Sequence, residues 1–341
     1  MKKNNIIVLT SINSDKISGI VKLKNYLEKF NETAVVVADL KTPTWESHPN
    51  IEFVSVEMQK SIWPNLSKLM PFNHYSRKNL GYLYAATLGA EKFLDTDDDN
   101  CPTENPWTKD FVKFRKVNDS NWLNVYRYFG ELDLWPRGLP LNHAHSEHVI
   151  SESSRPNEVS CFQSIVDGDP DIDAIGRLLF PKKVYFENGD PVILSSAICP
   201  TNSQATIWMS WLLPLLYLPS TATFRMTDIW RGFVVQPAIR ALGGETVFGK
   251  IGFHQDRNEH NLLKDFESEA IGHIHSQTVY EVSNSTWNSG DFSRDPYSLL
   301  RGLSEIYTKL VNLNIIDEKE LEIINAWGEA VTSLDLNLSG I

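Results

Sequence analysis

The chain has 341 residues, 42% of them hydrophobic, which is enough to bury one large core or a core with a smaller appended unit. Its formal net charge of −11 gives no broad basic surface, so nucleic acid and anionic membranes are poor partners. Three cysteines without a C-x-x-C spacing exclude a disulfide framework and a structural zinc site, which favours a reducing compartment.

The apolar segments favour a soluble, cytoplasmic protein. After Met1-Lys2-Lys3-Asn4-Asn5 only positions 6–11 are strongly apolar or small, which is too short for a signal-peptide core. The longest apolar stretch, 207–218, contains Ser210 and Pro214 and is shorter than the roughly 20 residues that span a bilayer. We therefore predict a cytoplasmic protein without a transmembrane segment.

The first sixty residues predict a parallel βαβ arrangement. Residues 6–11 form an almost continuous apolar run, which is typical of a buried parallel strand. Residues 17–27 place apolar side chains close to helical spacing, and a second buried strand at 34–39 ends on an acid. Residues 51–56 alternate as a third strand would. Strand, helix and strand in this order imply a right-handed crossover and a parallel sheet.

A predicted helix at 78–92 leads into a short strand that ends in the run Asp95-Thr96-Asp97-Asp98-Asp99-Asn100. In open α/β sheets this carboxyl edge is where ligands bind. Asp97 and Asp99 alternate in an extended segment and therefore project to the same side, where Mg²⁺ or Mn²⁺ could join them to a nucleotide diphosphate. Asp95 could serve a base, a ribose or the fold. The alternatives are a solvated acidic turn and a calcium loop, although an EF-hand loop would need a Gly and a Glu in register.

Two cations stand at the start of this helix, Arg77 and Lys78. Helix N–H groups and cationic side chains together suit phosphates, so we predict that one of the two contacts the nucleotide. A plain surface charge is the alternative for either residue.

The rest of the chain is less regular. From 101 to about 156 no clear periodicity defines the elements. The predicted elements beyond that point are a hairpin or two short strands at 185–194, helices at 204–217 and 228–242, and two C-terminal helices at 296–312 and 318–333.

The runs at 71–85 and 95–100 resemble the STELLO-type glycosyltransferase family. Further matches extend the resemblance from the N-terminal strand to about Glu269, at 134–138, 168–174, 202–204, 218–221 and 228–232. The resemblance implies an α/β, Rossmann-like GT-A fold with a mostly parallel central sheet and C-terminal helices. The acidic triplet and Gly168-Asp169-Pro170-Asp171 are more distantly similar to the reversibly glycosylated polypeptides, which are UDP-arabinopyranose mutases.

The GT-A resemblance also implies roles for residues at the nucleotide and the metal. Asp39 would approach the nucleobase or ribose, with Thr10 and Ser11 beneath the base; a cap on the following turn is the alternative for Asp39. A late histidine, His254 or His260 or neither, would reach the metal.

Asp228 matches the place where such enzymes keep a catalytic acid. An inverting transferase needs a base there, because the acceptor hydroxyl must lose its proton as it attacks the anomeric carbon. An N-cap role is compatible with this one, since Asp commonly caps helices.

Seven residues are predicted to bind substrate: Asp169, Asp171, Asp173, Trp135, Arg137, Arg231 and Arg257. The three alternate carboxylates could orient sugar hydroxyls, and a solvated turn is their alternative. Trp135 and Arg137 would shape the acceptor side or pack. Arg257 would meet a phosphate or pair with a neighbouring acid.

We predict a GT-A domain over 1–270, made of a nucleotide-binding half at 1–100 and an acceptor half at 101–270, followed by a helical extension at 271–341. The predicted reaction transfers a sugar from a nucleotide sugar, UDP-linked, to the hydroxyl of a glycan or other acceptor, with Mn²⁺ or Mg²⁺ as cofactor and Asp228 as base. A UDP-sugar mutase and a non-catalytic nucleotide-sugar-binding scaffold are the alternatives.

Overall fold

The computed structural model describes residues 5–257 and 261–334. In these ranges the strands are β1 Asn5–Ser11, β2 Thr33–Ala38, β3 Ile51–Val54, β4 Lys92–Thr96, β5 Asn100–Pro102, β6 Phe114–Val117, β7 Ile150–Ser153, β8 Val159–Gly168, β9 Val192–Ile193, β10 Ala205–Met209 and β11 Glu245–Gln255. The α-helices are α1 Ser18–Phe30, α2 Val56–Ile62, α3 Pro64–Leu69, α4 Lys78–Thr87, α5 Ala174–Leu179, α6 Thr227–Ala241, α7 Leu262–Ser289, α8 Pro296–Asn312 and α9 Lys319–Ser333.

The strands form one sheet in the order β3-β2-β1-β4-β10-β8-β11-β9-β6-β7, with β5 paired to β11. The first four strands are parallel, and their 3-2-1-4 order is that of a doubly wound sheet. Beyond them β10 runs antiparallel to both β4 and β8, and parallel pairing returns between β8 and β11. The predicted α/β class with C-terminal helices is confirmed. The point where the strand order reverses lies between β1 and β4.

The apolar run of β1 is continuous because helices cover both faces of the sheet. Ile6 and Val8 belong to the same buried cluster as Leu80 of α4, whereas Ile7 and Leu9 pack with α1 on the other face. Helix α4 approaches the sheet closely at Gly81, where a Cβ would stand 2.8 Å from Val8 Cγ1. The strands and the helix predicted for the first sixty residues are confirmed. Helix α4 begins where predicted and ends at Thr87, before β4.

The helix predicted at 204–217 is wrong. This apolar run forms β10 followed by a 3₁₀ helix at Ser210–Leu215, because its first half pairs with β4 and β8. Periodicity alone does not separate a buried strand from a buried helix. Of the hairpin or two short strands predicted at 185–194, the structure has the short strand β9, which pairs with β11 and β6 and not with a neighbouring strand of a hairpin, while Val184 bridges Gly168.

Helix α7 carries no apolar periodicity and was not predicted. Its buried face is made largely of small or polar residues, among them Gly272, Ser276 and Ser283. These residues let α7 lie close to its neighbours, since a Cβ on Gly272 would meet the Met226 side chain at about 2.4 Å. Helix α7 crosses position 270, where the GT-A domain was predicted to end, without interruption. Helices α6, α8 and α9 confirm the predictions made for 228–242, 296–312 and 318–333.

The last helix is tied to the centre of the molecule through a buried carboxylate. Glu320 of α9 has no exposed surface and accepts hydrogen bonds from the backbone N–H groups of Ser220, at 2.8 Å, and Thr221, at 2.7 Å, and from the Tyr217 hydroxyl. Ser220 Oγ in turn donates to Ser76 Oγ at 3.0 Å, just before α4. None of the helices within residues 5–257 and 261–334 has the length and apolar character needed to cross a membrane.

We expect Glu320→Ala to lower the free energy of unfolding by about 1–3 kcal/mol for each buried donor that it leaves unpaired. Urea unfolding followed by circular dichroism measures this change. Glu322→Ala, an exposed position on the same helix, is the matched control and should change stability little. Equal stability of the two variants would show that Glu320 does not hold this segment.

Candidate functional site

A cleft of about 420 Å³ opens at the carboxyl ends of β1, β2 and β4, which is the ligand-binding edge of such a sheet. We call it the outer cleft. An adjoining inner chamber of about 70 Å³ is bordered by Arg137, Asp171, Gln204 and Asp228. The residues that border both spaces are Tyr75, Asp97, Phe224, Arg225 and Arg257.

Asp95 lies beneath the acidic turn, with no exposed surface. Its Oδ1 accepts a hydrogen bond from Lys78 Nζ at 2.7 Å, and its Oδ2 accepts from Ser203 Oγ at 2.8 Å and lies 2.8 Å from Arg231 Nη1. Burial alone would raise the pKa of Asp95, but Lys78 and Arg231 together lower it. Asp95 is therefore a buried ion-pair partner. Arg231, predicted to bind substrate, is fully buried and is occupied by Asp95, Ser203 and Tyr82.

Asp97 is held through one of its two oxygens. Oδ1 accepts hydrogen bonds from the Tyr75 hydroxyl at 2.5 Å and from Lys78 Nζ at 3.3 Å. Oδ2 has no hydrogen-bond partner in residues 5–257 and 261–334. Burial and the nearby Asp99 carboxylate outweigh Lys78 and raise the pKa of Asp97 to about 7.

Asp98 and Asp99 are held in the same way. Asp98 Oδ2 accepts from Ser11 Oγ at 2.5 Å and from Asn13 Nδ2 at 3.0 Å, and Asp99 Oδ1 accepts from Gln255 Nε2 at 2.7 Å. Their second oxygens make no hydrogen bond within the described chain. Burial raises the pKa of Asp99. Each of the three carboxylates of the turn thus keeps one oxygen fixed and offers the other to a ligand.

The two cations predicted at the phosphate serve the fold. Arg77 Nε donates to Gln59 Oε1 at 2.9 Å and Arg77 Nη2 to Ser67 Oγ at 3.1 Å, while its guanidinium lies 4.1 Å from the centre of the Phe72 ring. Lys78 Nζ is fully buried and also donates to the Thr96 carbonyl at 2.7 Å. Both charges are therefore buried among protein acceptors, although Arg77 also lines the outer cleft.

Thr10, Ser11 and Asp39, which were predicted at the nucleotide, all line the outer cleft. Asp39 Oδ1 accepts from the Leu40 N–H at 2.7 Å, which agrees with the alternative role of Asp39 as a cap on the following turn. Asp39 Oδ2 accepts from the His74 N–H at 3.3 Å and thereby joins the end of β2 to the segment before α4.

Asp228 borders the inner chamber, but its four acceptor positions are filled. Oδ1 accepts from Arg137 Nη2 at 3.1 Å and from the Ile229 N–H at 3.0 Å. Oδ2 accepts from Arg137 Nη2 and from the Ser203 N–H, both at 3.0 Å. Arg137 also forms a 2.7 Å ion pair with Asp171. These contacts favour an anchoring role for Asp228 over the predicted role as catalytic base.

The alternating acids after β8 are also committed to protein contacts. Asp169 Oδ2 accepts from Lys183 Nζ at 2.5 Å and from the Arg257 N–H at 3.0 Å. Asp173 caps α5 and accepts from Trp135 Nε1 at 2.6 Å. Asp171 pairs with Arg137, so both side chains predicted for the acceptor side, Trp135 and Arg137, are bound to one of the alternating acids.

Of the two histidines predicted to reach a metal, His254 lines a second cavity of about 490 Å³ together with Asp98 and Asp99 of the acidic turn, and its Nε2 is 3.3 Å from Asp256 Oδ1. His260 lies outside the described residues. Within those residues, no three His, Cys, Asp or Glu side chains are grouped so that they could hold a metal. A metal at the acidic turn would therefore need oxygen ligands from outside the protein.

Arg257 lines both the outer cleft and the inner chamber. Its Nη2 lies 3.4 Å from Asp171 Oδ1, and its buried Nε has no hydrogen-bond partner among the described residues. Arg231, which was also predicted to bind substrate, has an unpartnered Nε too among those residues, but it is fully buried, whereas Arg257 borders both spaces. The sequence motifs did not single out Tyr75 or Gln255, although Tyr75 lies in the run at 71–85 and Gln255 is next to His254.

The sequence is similar to two curated proteins of Arabidopsis thaliana. It is 24% identical over 265 residues to Probable glycosyltransferase STELLO2, covering 70% of this chain and 34% of that protein. It is also 24% identical over 267 residues to Probable glycosyltransferase STELLO1, covering 70% of this chain and 33% of that protein. The resemblance to the STELLO-type family, predicted from the motifs, is confirmed. The chain spans about a third of the length of these relatives, and no family model matches it.

Among solved structures, glucosyl-3-phosphoglycerate synthase from Mycobacterium tuberculosis is similar with a TM-score of 0.41 and 10% identity, covering 82% of this chain and 80% of that one. A TM-score of this size carries no conclusion about function. The parallel β3-β2-β1-β4 order, with the acidic turn after β4 and the reversed strand β10 beside it, agrees with the predicted GT-A fold.

We expect Asp228→Asn to lower the free energy of unfolding by about 1–3 kcal/mol, because an amide cannot accept all four hydrogen bonds and leaves Arg137 with one carboxylate. Urea unfolding at pH 7 measures the change. Asp110→Asn, an exposed carboxylate, is the matched control. A variant as stable as the wild type but unable to transfer sugar would instead support Asp228 as a base.

Proposed function

We propose that this protein transfers a glycosyl group from a nucleotide sugar to a hydroxyl acceptor. The observation that carries the proposal is the acidic turn, where three carboxylates face a cleft at the switch point of the sheet and each is held through one oxygen. Two relatives bear the name of probable glycosyltransferases, which supports the same reaction class for this chain.

Mg²⁺ or Mn²⁺ is the proposed cofactor, held by Asp97 and Asp99. Both carboxylates border the outer cleft with one oxygen unused, and both have a raised pKa because burial disfavours their negative charge. A divalent cation would offset this cost, and one or two carboxylates with phosphate oxygens and water form the ligand set that such ions accept. The ion would supply charge neutralisation for the leaving diphosphate.

The donor is proposed to be UDP-linked and to occupy the outer cleft. Thr10, Ser11 and Asp39 line its nucleoside end. Arg257 lines the cleft together with Asp99 and keeps an unpartnered Nε, so it is the proposed phosphate contact in place of Arg77 or Lys78. The Arg257 guanidinium and the metal would then both contact the diphosphate of the bound nucleotide sugar.

The acceptor is proposed to bind where the outer cleft and the inner chamber meet, because the inner chamber, at about 70 Å³, is smaller than pockets that hold small molecules. Asp228 and Arg137 line the inner chamber. For Asp228 to accept a proton in an inverting reaction, the acceptor hydroxyl would have to replace one of its four donors. We therefore propose glycosyl transfer as the reaction class, in which Asp228 anchors the Arg137 side chain and the Ser203 backbone.

We expect Asp97→Asn and Asp99→Asn each to lower Mn²⁺-dependent UDP-sugar turnover by about 100-fold or more, because the metal loses a charged ligand. Release of UDP from a panel of UDP-sugars measures turnover, and thermal shift with UDP, with and without Mn²⁺, measures binding.

Asp133→Asn is the control for this pair, since Asp133 is exposed and lines neither space. The absence of a metal-dependent shift with any nucleotide in the wild type would contradict the proposal. Binding of UDP and Mn²⁺ without turnover of any donor would favour the scaffold alternative, and rearrangement of the donor without an acceptor would favour the mutase.

We expect Tyr75→Phe to weaken Mn²⁺ affinity in the presence of UDP by about 10-fold, because Asp97 loses the hydroxyl that orients it. Calorimetric titration of Mn²⁺ into the UDP complex measures the affinity. Tyr297→Phe, at an exposed position, is the control. An unchanged Mn²⁺ affinity would show that the Tyr75 hydroxyl does not position Asp97.

A further inference from the structure

Phe224 stands at the junction of the outer cleft and the inner chamber. Its side chain lines both spaces and is 55% exposed. Its ring centre lies 5.6 Å from that of Tyr75 and 6.1 Å from that of His74, both in edge-to-face contact. The ring is therefore fixed in orientation but not covered.

The segment that carries Phe224 is anchored on both sides. On one side the Thr221 N–H donates to Glu320 of α9 at 2.7 Å. On the other side Arg225 donates to Glu269 of α7 at 2.7 Å. The exposure of Phe224 is thus the result of a held conformation and not of a loose loop. Two C-terminal helices keep an apolar ring at the place where the two spaces meet.

The neighbourhood of the ring favours a ligand with one apolar and several polar faces. Arg225, Arg257 and Gln204 border the inner chamber beside the ring and offer donors and acceptors. A pyranose fits this combination, since its axial C–H groups form an apolar face and its hydroxyls project around the rim. A nucleobase would also stack, but Thr10 and Asp39 line only the outer cleft, whereas Phe224 lines both spaces.

We propose that Phe224 is the stacking platform for the acceptor sugar, so that the acceptor is a pyranoside with equatorial hydroxyls. This inference rests on the proposed function and adds the substrate class of the acceptor. It excludes protein hydroxyls and glycerol-like acceptors as the preferred partners, because neither presents a continuous C–H face to the ring.

The test uses the full chain saturated with UDP and Mn²⁺, with methyl β-D-glucopyranoside as the probe. We expect saturation-transfer NMR to show contact with the H1, H3 and H5 face of the probe. Phe224→Ala should weaken probe binding about fivefold, whereas Phe224→Tyr should retain it. Glycerol should show no dependence on position 224. Phe266→Ala is the matched control, because Phe266 is partly exposed and lines neither space.

Equal probe binding in the wild type and Phe224→Ala would overturn the inference. A loss of UDP affinity in Phe224→Ala would overturn it by assigning the ring to the nucleobase. A loss of UDP-sugar affinity with unchanged UDP affinity would overturn it by assigning the ring to the donor sugar. Failure of the wild type to bind UDP with Mn²⁺ is a separate result, which would remove the proposed function and this inference with it.

Discussion

The neutralisation of Asp95 is the constraint on which the rest of the site depends. A carboxylate with no exposed surface must be paired, and leaving one such charge without its partner costs about 3–5 kcal/mol. Asp95 lies in β4, and its partners Lys78 and Arg231 come from α4 and α6. One ion-pair network therefore joins a central strand of the sheet to the two helices. Because Lys78 also binds Asp97, the same network sets the position of the acidic turn.

The C-terminal helices position part of the wall of the cleft. Glu320 of α9 and Glu269 of α7 bind opposite ends of the segment that holds Phe224. The small-residue face of α7 brings this helix close enough to make its contact. The geometry of the cleft therefore depends on the packing of α7 and α9, which lie far from the acidic turn in the sequence. A change in the helical packing would move the residues where the outer cleft and the inner chamber meet.

The sequence predicted those features that depend on local pattern. Apolar runs covered on both faces predicted β1 and β2, and the acidic run after a strand predicted a site at the carboxyl edge. It did not predict the roles of Arg77 and Arg231, because a charge in a sequence is read as exposed until its buried partner is known. Those partners, Gln59 and Asp95, are set by packing between separate elements. Helix α7 was not predicted either, because its close packing uses small residues, which leave no apolar periodicity in the sequence.

The carboxylates of the site fall into two groups, which differ in whether one or both of their oxygens accept hydrogen bonds from the protein. Both oxygens of Asp95 and of Asp228 are occupied by protein donors, so these side chains build the walls. Asp97, Asp98 and Asp99 are each held through one oxygen only. A carboxylate of the second kind has a fixed direction and an unused lone pair, which is what a metal ligand requires before the metal arrives. Burial raises the pKa of Asp97 and of Asp99, and a cation bound at the turn would offset this effect by stabilising their charged forms.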